Sequence, residues 1–213
     1  MKKALIFDLD GTVVNTLDDI AYNINLMLSY YSFKTHTVEA IKGMIGNGAK
    51  KLVERALPKE KVNENFLGEA LKTYQNFYDK NIVKDTFVYE GLENVLVSLK
   101  NSGVKLAVIS NKDERHVTEV IDVLLPGIFD IVWGYNGRFP HKPDPSSVIA
   151  IIDIFGLTKE EVAFVGDSKV DILTAKNTGI KSVGVSWGFG GVHSFDECTP
   201  DIIIDLPQEL LKI

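Results

Sequence analysis

Two aspartates near the amino terminus, Asp8 and Asp10, have a spacing that suggests chemistry. They follow the apolar run Ala4–Phe7, so on an extended chain both carboxylates point to the same side, just before a turn that Gly11 allows. Like charges this close are unfavourable unless they share a cation or one group stays protonated. The pair therefore indicates a metal site or an acid–base pair, and a solvated strand end followed by a turn is the simpler alternative.

Polar residues also follow later apolar runs. The hydroxyl and amide of Ser110 and Asn111 suit an oxyanion, and Lys142, in a segment bounded by prolines, suits a fixed cation for a phosphate. Asp167 and Asp171 have a spacing that suits Mg²⁺ at a strand-to-helix turn, because this ion prefers oxygen ligands. Each has a simpler explanation as a helix cap or a surface lysine. We expect the conjunction to lie at four strand ends, in the order of the sheet.

An alternation of apolar runs and amphipathic segments predicts the elements that position these residues. Short runs that are rich in β-branched residues and apolar on both faces are typical of buried parallel strands. The predicted strands are Ala4–Phe7, Leu106–Ile109, Ile128–Val132, Val162–Val165 and Ser182–Val185. The predicted helices cover Glu93–Lys100 and Asp113–Leu124, and a third starts at an Asp144 N-cap with Pro145 at the first helical position. Residues Thr158–Glu161 have the spacing of a capping box before the fourth strand. This order predicts an α/β fold with a Rossmann-like, doubly wound parallel sheet that binds ligands at the carboxyl ends of its strands.

Residues 16–84 follow a different pattern. Apolar residues recur there at helical spacing in four stretches, and no convincing strand signal is present. The stretches are 17–31, 38–45, 52–57 and 62–78. We therefore predict a core domain formed by 1–15 and 85–213 and an all-α cap domain at 16–84, inserted directly after the first strand.

The composition narrows the classes of function. With a net charge of −6 and no cluster of lysine or arginine, the chain lacks the basic surface that nucleic-acid binding requires. No apolar run approaches the roughly 18 residues of a membrane span, and the single cysteine, Cys198, excludes an intrachain disulfide. We expect a cytoplasmic monomer or homodimer that binds neither nucleic acid nor membranes.

A resemblance to a known family links these positions. In order and spacing, the chain is similar to the four motifs of the haloacid dehalogenase superfamily at Asp8 with Asp10, at Ser110, at Lys142 and at Asp167 with Asp171. The resemblance covers nearly the whole chain, and the helical insert matches the cap of one subclass. It implies that Asp8 is a nucleophile that forms an aspartyl-phosphate, and that Asp10 is first a general acid and then a general base. The residues suit these roles, because a phosphate dianion approaches a carboxylate only when cations offset the repulsion.

The resemblance also implies the ligands of the site. Mg²⁺ would be held by the Asp8 carboxylate, the Asp10 backbone carbonyl and Asp167, while Asp171 would orient Lys142 or the waters of the metal. The phosphate-binding residues would be Gly11, Thr12, Ser110, Asn111 and Lys142, and the supporting residues Ser168 and Asp171.

Asp10 also points to one branch of the superfamily. An alcohol leaving group needs a proton, whereas members that expel halide or cleave phosphonates lack this acid. The turn Gly46–Gly48 resembles phosphoglycolate phosphatase-like proteins, and Gly46 and Asn47 would offer donors to the carboxylate of a small phosphorylated metabolite. A pyrophosphatase, a nucleotidase, a sugar phosphomutase and a non-catalytic phosphate-binding module remain as alternatives. The resemblance makes the mutase less favoured, because sugar phosphomutases of this superfamily usually carry a histidine in the first cap helix and the matching stretch 17–31 contains none.

Overall fold

A computed structural model describes residues 2–213 of the chain. The chain divides into two compact units. The first contains the segments up to Asn15 and from Phe87 onward, and the second is Thr16–Thr86. Within residues 2–213, no helix is both long enough and apolar enough to cross a bilayer.

The first unit is built on a parallel sheet of six strands, and its strand order is β5-β4-β1-β6-β7-β8. The strands of the chain are β1 (Ala4–Phe7), β2 (Val14–Asn15), β3 (Phe87–Val88), β4 (Lys105–Asp113), β5 (Ile131–Tyr135), β6 (Val162–Gly166), β7 (Lys181–Val185) and β8 (Ile202–Ile204). Strands β2 and β3 form a separate antiparallel pair. The α/β fold and the parallel sheet predicted from the sequence are confirmed.

Helices connect the strands of the first unit and form the second. They are α1 (Leu17–Tyr30), α2 (Val38–Lys42), α3 (Gly48–Ala56), α4 (Glu64–Tyr78), α5 (Leu92–Asn101), α6 (Glu114–Leu124), α7 (Ser146–Phe155) and α8 (Lys169–Thr178). Short 3₁₀ helices cover Lys59–Lys61, Lys159–Glu161, Gly191–Phe195 and Pro207–Lys212.

Both faces of the central strands are buried, as the apolar runs predict. On one face, β1, β4 and β6 pack against α7 and α8 through a cluster that includes Ile6, Ile109, Ile151 and Phe164. Alternate residues of the same strands, such as Phe7 and Val108, are also fully buried. Because β1 lies between β4 and β6, polar residues that follow these three strands meet at one edge of the sheet.

Some details of the sequence prediction are wrong. The strand predicted at Ile128–Val132 is β5, Ile131–Tyr135, because Asp130 accepts the Leu106 N–H on its side chain at 2.9 Å and replaces a ladder bond. Ser110 and Asn111 do not follow a strand but lie within β4, which continues past a shift in register between Ile109 and Asp113.

Another error concerns the positions of the motifs. Lys142 lies in the segment between β5 and α7 rather than at a strand end. The other motifs belong to β1, β4 and β6, and these strands stand in the sheet in the order β4-β1-β6, which is not their order along the chain. At α7, Pro145 is the N-cap, and Asp144, one residue earlier, accepts from the Ser146 N–H at 2.9 Å. Strand β8 has no counterpart in the prediction.

The second unit is helical, with α1, α2, α3 and α4 near the predicted stretches. Its ends are joined by the fully buried Asp19 on α1. The Asp19 carboxylate accepts hydrogen bonds from the backbone N–H groups of Lys84, Asp85 and Thr86 and from the Thr86 hydroxyl. Since a buried carboxylate is tolerated only when donors satisfy it, Asp19 fixes the last residues of the unit to its first helix.

Candidate active site

The turn after β1 presents Asp8 and Asp10 at the carboxyl edge of the sheet. The Asp8 N–H continues the ladder by donating to Val165 O at 2.9 Å, and the Asp8 carboxylate accepts from the Leu9 N–H at 2.7 Å. Gly11 then adopts a φ of +87°, and a Cβ at this position would lie 2.5 Å from Asp167 Oδ2. Glycine is thus required both by the left-handed backbone and by the close approach of β1 and β6.

Lys142 lies between two carboxylates. Its Nζ is 2.7 Å from Asp8 Oδ1 and 2.7 Å from Asp171 Oδ1. The Lys142 side chain is 3% exposed and that of Asp171 is fully buried. Ion pairs shielded from water in this way are strong because solvent screens them little. The structure therefore brings together three residues that the sequence separates widely.

The charges of this group alter its proton affinities. Burial raises the pKa of Asp8 well above its usual range, and the neighbouring charges of Asp171 and Asp167 raise it further, against the opposing effect of Lys142. Burial alone would lower the pKa of Lys142, but the Asp171 and Asp8 carboxylates outweigh it and raise that pKa. Lys142 is therefore held as a cation, whereas the ionised form of Asp8 is disfavoured even with the Lys142 ammonium beside it.

Asp167 directly follows β6, at the same edge of the sheet as Asp8. Its Oδ1 accepts from the Thr12 hydroxyl at 3.1 Å and its Oδ2 from the Phe189 N–H at 3.0 Å. Burial and then the charge of Asp171 raise the pKa of Asp167 to about 7, although these two hydrogen bonds lower it. A Cβ on Gly188 would lie 2.1 Å from the Asp167 Cβ, so the loop after β7 approaches this carboxylate closely.

The carboxylates fit a cation. One oxygen from each of Asp8, Asp167 and Asp171 can be chosen so that all lie within 4.8 Å of one another. Lys142 is the ammonium that contacts two of them, so the ionised group carries an excess of negative charge. Oxygen ligands of this kind suit a hard divalent cation, and the assignment of Asp8 and Asp167 as its ligands stays a prediction.

Asp171 is held by the first turn of α8. Its Oδ2 accepts from the Ser168 N–H at 3.1 Å and from the Ser168 hydroxyl at 2.6 Å, while Oδ1 contacts Lys142. A Cβ on Gly166 would lie 2.2 Å from the Asp171 Cβ, so glycine is needed there for close packing. Ser168 thus holds Asp171 in contact with Lys142, and the supporting role of this pair in the reaction stays a prediction.

The last residues of β4, from Ser110 to Asp113, form an extension of the strand past its shift in register, and they contact different parts of the site. The Asn111 side chain accepts from the Lys142 N–H at 2.8 Å and donates to Lys142 O at 3.1 Å. Its amide therefore braces the Lys142 backbone, a contact that the sequence reasoning did not anticipate. Ser110 is buried, and its hydroxyl accepts from the Lys112 N–H at 3.2 Å. The roles of Ser110 and Asn111 in phosphate binding stay predictions.

Two residues outside the predicted set of site residues also contact the site. The Lys112 Nζ is 2.9 Å from Asp10 Oδ1, and the Trp187 indole N–H donates to Thr12 O at 3.1 Å. The available signal for Lys112 was its place beside Ser110 and Asn111, and for Trp187 its aromatic ring in a glycine-rich loop. Neither signal identifies a partner, because both contacts join segments far apart in the chain.

Gly46 and Asn47 lie in the second unit. They precede α3, and Asn47 Oδ1 accepts from Arg55 Nη2 at 2.7 Å while Arg55 Nη1 donates to Met44 O at 2.8 Å. Gly46 has a φ of +118°. Arg55 therefore holds this turn in shape, and the contribution of Gly46 and Asn47 to substrate binding stays a prediction.

Comparisons with known proteins identify the family. The family model described as haloacid dehalogenase-like hydrolase matches residues 5–185. The chain belongs to this family, and the resemblance found in the motifs is confirmed.

Two curated relatives match over almost the whole chain. The phosphoglycolate phosphatase of Pseudomonas putida is 32% identical over 216 residues, which cover 99% of this chain and 79% of that protein. The phosphoglycolate phosphatase of Haemophilus influenzae is 32% identical over 218 residues, covering 99% and 97%. A crystal structure of a predicted phosphoglycolate phosphatase from Haemophilus somnus is 28% identical and has a TM-score of 0.91, covering 99% and 97%. The chain is accordingly a phosphoric monoester hydrolase of the haloacid dehalogenase type.

Proposed function

We propose that the protein is a Mg²⁺-dependent phosphatase that hydrolyses phosphoglycolate, or a similarly small phosphomonoester, through an aspartyl-phosphate on Asp8. The observation that carries the proposal is the position of the Asp8 carboxylate, 2.7 Å from the buried Lys142 ammonium and beside Asp167. Phosphoryl transfer is one of the few reactions that need a carboxylate, a fixed ammonium and a second acidic ligand at one strand end.

Asp8 is the nucleophile in this proposal. Its carboxylate attacks phosphorus in line with the ester oxygen, the P–O bond to the alcohol breaks, and the electron pair of that bond stays on the alcohol oxygen. Lys142 offsets the repulsion between the Asp8 carboxylate and the phosphate, and Asp171 with Asn111 holds Lys142 in place. Ser110, Gly11 and Thr12 lie at the same sheet edge and supply further contacts to the phosphoryl group.

Asp10 carries the proton in both steps. It gives a proton to the leaving alcohol and later takes one from the water that attacks the aspartyl-phosphate. Asp10 lies two residues after Asp8, and its side chain is 14% exposed. It is thus close to the nucleophile, and an entering water can reach it.

Asp8 and Asp167, with the Asp10 backbone carbonyl, are the residues that would hold Mg²⁺. The bound ion would supply positive charge to the phosphoryl oxygens and keep Asp8 ionised. The raised pKa values of Asp8 and Asp167 support a divalent cation as the missing positive charge.

The helical unit is proposed as a cap domain. Its residues Gly46 and Asn47 are proposed to help select the substrate. Backbone N–H groups at the start of α3 suit the carboxylate of phosphoglycolate. Asn47→Ala is expected to raise the KM for phosphoglycolate about tenfold and to leave the KM for p-nitrophenyl phosphate unchanged. Asn63→Ala, which removes the N-cap of α4 in the same unit, is the matched control and should change neither KM.

The experiment that tests the function is a screen of phosphate release with and without Mg²⁺. The substrates are phosphoglycolate, ethyl phosphate, p-nitrophenyl phosphate, pyrophosphate, a nucleoside monophosphate and glucose 1-phosphate. We expect Mg²⁺-dependent release, fastest from phosphoglycolate. Preference for pyrophosphate or the nucleotide would overturn the proposed substrate, and conversion of glucose 1-phosphate to an isomer without release of phosphate would overturn hydrolysis.

A further inference from the structure

We infer that Lys112 is a positioning residue, which holds the Asp10 carboxyl group in the orientation that delivers its proton to the leaving alcohol. The inference rests on the proposed function and extends it to a residue outside the motif positions of the site. In this inference Lys112, the third residue of Ser110–Asn111–Lys112, acts on Asp10 and does not bind the phosphate.

The contact is short and sheltered. Lys112 Nζ lies 2.9 Å from Asp10 Oδ1, and the two side chains are 10% and 14% exposed. A lysine on a solvated surface samples many rotamers and its ion pairs contribute little. A lysine that is largely buried with its ammonium on one carboxylate oxygen has lost that freedom, so its partner is also held in one orientation.

The local backbone places Lys112 there. The register of β4 against β5 shifts between Ile109 and Asp113, which directs the residues of the extension away from regular alternation. A Cβ on Gly134 of β5 would lie 2.7 Å from Lys112 O, so glycine on the neighbouring strand allows the Lys112 backbone to pack closely. The Lys112 N–H also donates to Ser110 Oγ at 3.2 Å, which ties the position of Lys112 to that of Ser110.

The chemistry of a carboxylic acid explains why this contact orients the proton. A protonated carboxyl group has one acceptor oxygen and one O–H donor, and an ammonium only donates. With Lys112 on Oδ1, the proton of Asp10 is directed to Oδ2. When the P–O bond breaks, its electron pair stays on the ester oxygen and the proton on Asp10 Oδ2 moves to that oxygen. An error of about 1 Å in such a group costs on the order of 100-fold in rate.

This role differs from that of Lys142 in a way that kinetics can detect. A group that acts on the phosphoryl charge affects every ester, whereas a group that acts through Asp10 affects only esters whose leaving group needs a proton. Alkoxides from ethyl phosphate and phosphoglycolate need one, and p-nitrophenolate leaves without it. The quantity to compare is kcat/KM, because it reports the steps up to and including departure of the alcohol.

The test measures kcat/KM for these three substrates with Lys112→Met, Lys112→Arg and Asp10→Asn. We expect Lys112→Met to lose about 30-fold on both alkyl esters and less than about threefold on p-nitrophenyl phosphate. Lys112→Arg should recover most of the loss, because it restores a cationic donor. Lys105→Met is the matched control, since Lys105 lies on the same strand and pairs with Asp130 at 3.0 Å away from the site; it should behave as the unaltered enzyme.

The outcomes separate the inference from the proposed function. If Asp10→Asn shows no selective loss on alkyl esters, Asp10 is not the acid and the proposed mechanism fails. If Asp10→Asn shows this loss and Lys112→Met does not, only the inference is overturned. A loss confined to phosphoglycolate and absent for ethyl phosphate would also overturn it, because Lys112 would then bind the substrate carboxylate.

Discussion

Two lysine–aspartate pairs lie in the same unit and differ mainly in their surroundings. Lys142 is 2.7 Å from Asp8, and Lys112 is 2.9 Å from Asp10. Lys142 has a second carboxylate, Asp171, at the same distance and is almost fully buried. Asp8 and Asp10 are about equally exposed, at 13% and 14%, so the two pairs differ in the burial of the lysine, which is 10% exposed at Lys112. The chemical groups are the same, so the difference in role comes from burial and from the number of carboxylates around each ammonium.

The comparison shows what each environment provides. Around Lys142 the excess of negative charge favours the binding of a divalent cation, and that cation would in turn favour the ionised form of Asp8. Around Asp10 the water needed for the second step can enter. We expect the first pair to control stability and metal binding and the second to control proton delivery.

The largest expected effect comes from removing the nucleophile, Asp8, of the Lys142–Asp8 pair. Asp8→Asn should reduce kcat by about 10⁴-fold or more, because the amide cannot form the covalent intermediate. The fold should be retained, since the pKa of Asp8 is already raised by burial and a neutral group is tolerated there. Phosphate release and circular dichroism measure the two quantities. Mass spectrometry after acid quenching should find phosphate on the unaltered enzyme and none on the variant, and undiminished Mg²⁺-dependent release from the variant would refute the assignment.

The second prediction compares the two lysines directly. Lys142→Met leaves Asp8 and Asp171 buried without their ammonium and should lower the free energy of unfolding by about 3–5 kcal/mol. Lys112→Met leaves only one carboxylate, Asp10, without its ammonium, and that side chain is 14% exposed, so the loss should be smaller, about 1–2 kcal/mol. Urea denaturation without divalent cations measures both. Equal losses would show that burial does not distinguish the two pairs.

The third prediction uses the pH dependence of Asp167. The pKa of Asp167 is raised to about 7 by burial and by the charge of Asp171, against about 3.9 in an unfolded chain. The folded state therefore binds the proton more tightly, and the stability that this contributes is complete below about pH 4 and is lost as the pH rises through 7. An asparagine does not titrate.

In the presence of a chelator, the difference in Tm between Asp167→Asn and the unaltered protein should therefore shift in favour of the variant as the pH rises from about 5 to about 8, by roughly 2–4 °C per kcal/mol. Mg²⁺ should reverse the difference at the higher pH, because only the carboxylate binds it well. Asp130→Asn is the control. Burial would raise the pKa of Asp130, but the Leu106 N–H and Lys105 lower it overall, so the effect of this variant should not vary over the same interval. A constant difference for Asp167→Asn would contradict the electrostatic explanation.

The smallest effect is expected from Thr12→Val, a change of similar shape at a buried position. It removes the hydroxyl that donates to Asp167 at 3.1 Å, so the pKa of Asp167 should rise further and Mg²⁺ should bind about tenfold more weakly at neutral pH. The Mg²⁺ concentration for half-maximal activity measures this. A change in kcat at saturating Mg²⁺ with no change in that concentration would show that Thr12 acts on the phosphate instead.

Much of the fold could be predicted because its signals are local. The runs at β1, β6 and β7 are short, branched and apolar on both faces, and their predicted bounds agree with the structure to within one residue. The helices of the insert follow from spacing alone. Strand β5 was misplaced because Asp130 replaces a ladder bond with its side chain, and β4 was predicted too short because its bulge continues pairing through polar residues.

The site was predictable to a different degree. The motif residues were found because their types and order are readable along the chain. The partners of those residues were not, since Asn111 with Lys142 and Trp187 with Thr12 are separated by many residues and use ordinary polar atoms. The local signal for Lys112, its place beside Ser110 and Asn111, does not identify Asp10 as its partner.

The sequence by itself determined the elements, the family and the identity of the acidic and basic groups, because periodicity and residue type are properties of neighbouring residues. The tertiary structure alone decided which lysine contacts which aspartate and how far each pair is from water. It did so through the close packing of the turn after β1, the end of β6 and the loop after β7, where Gly11, Gly166 and Gly188 let carboxylates approach neighbouring backbone. Proton affinity depends on that packing, since burial and nearby charge set it.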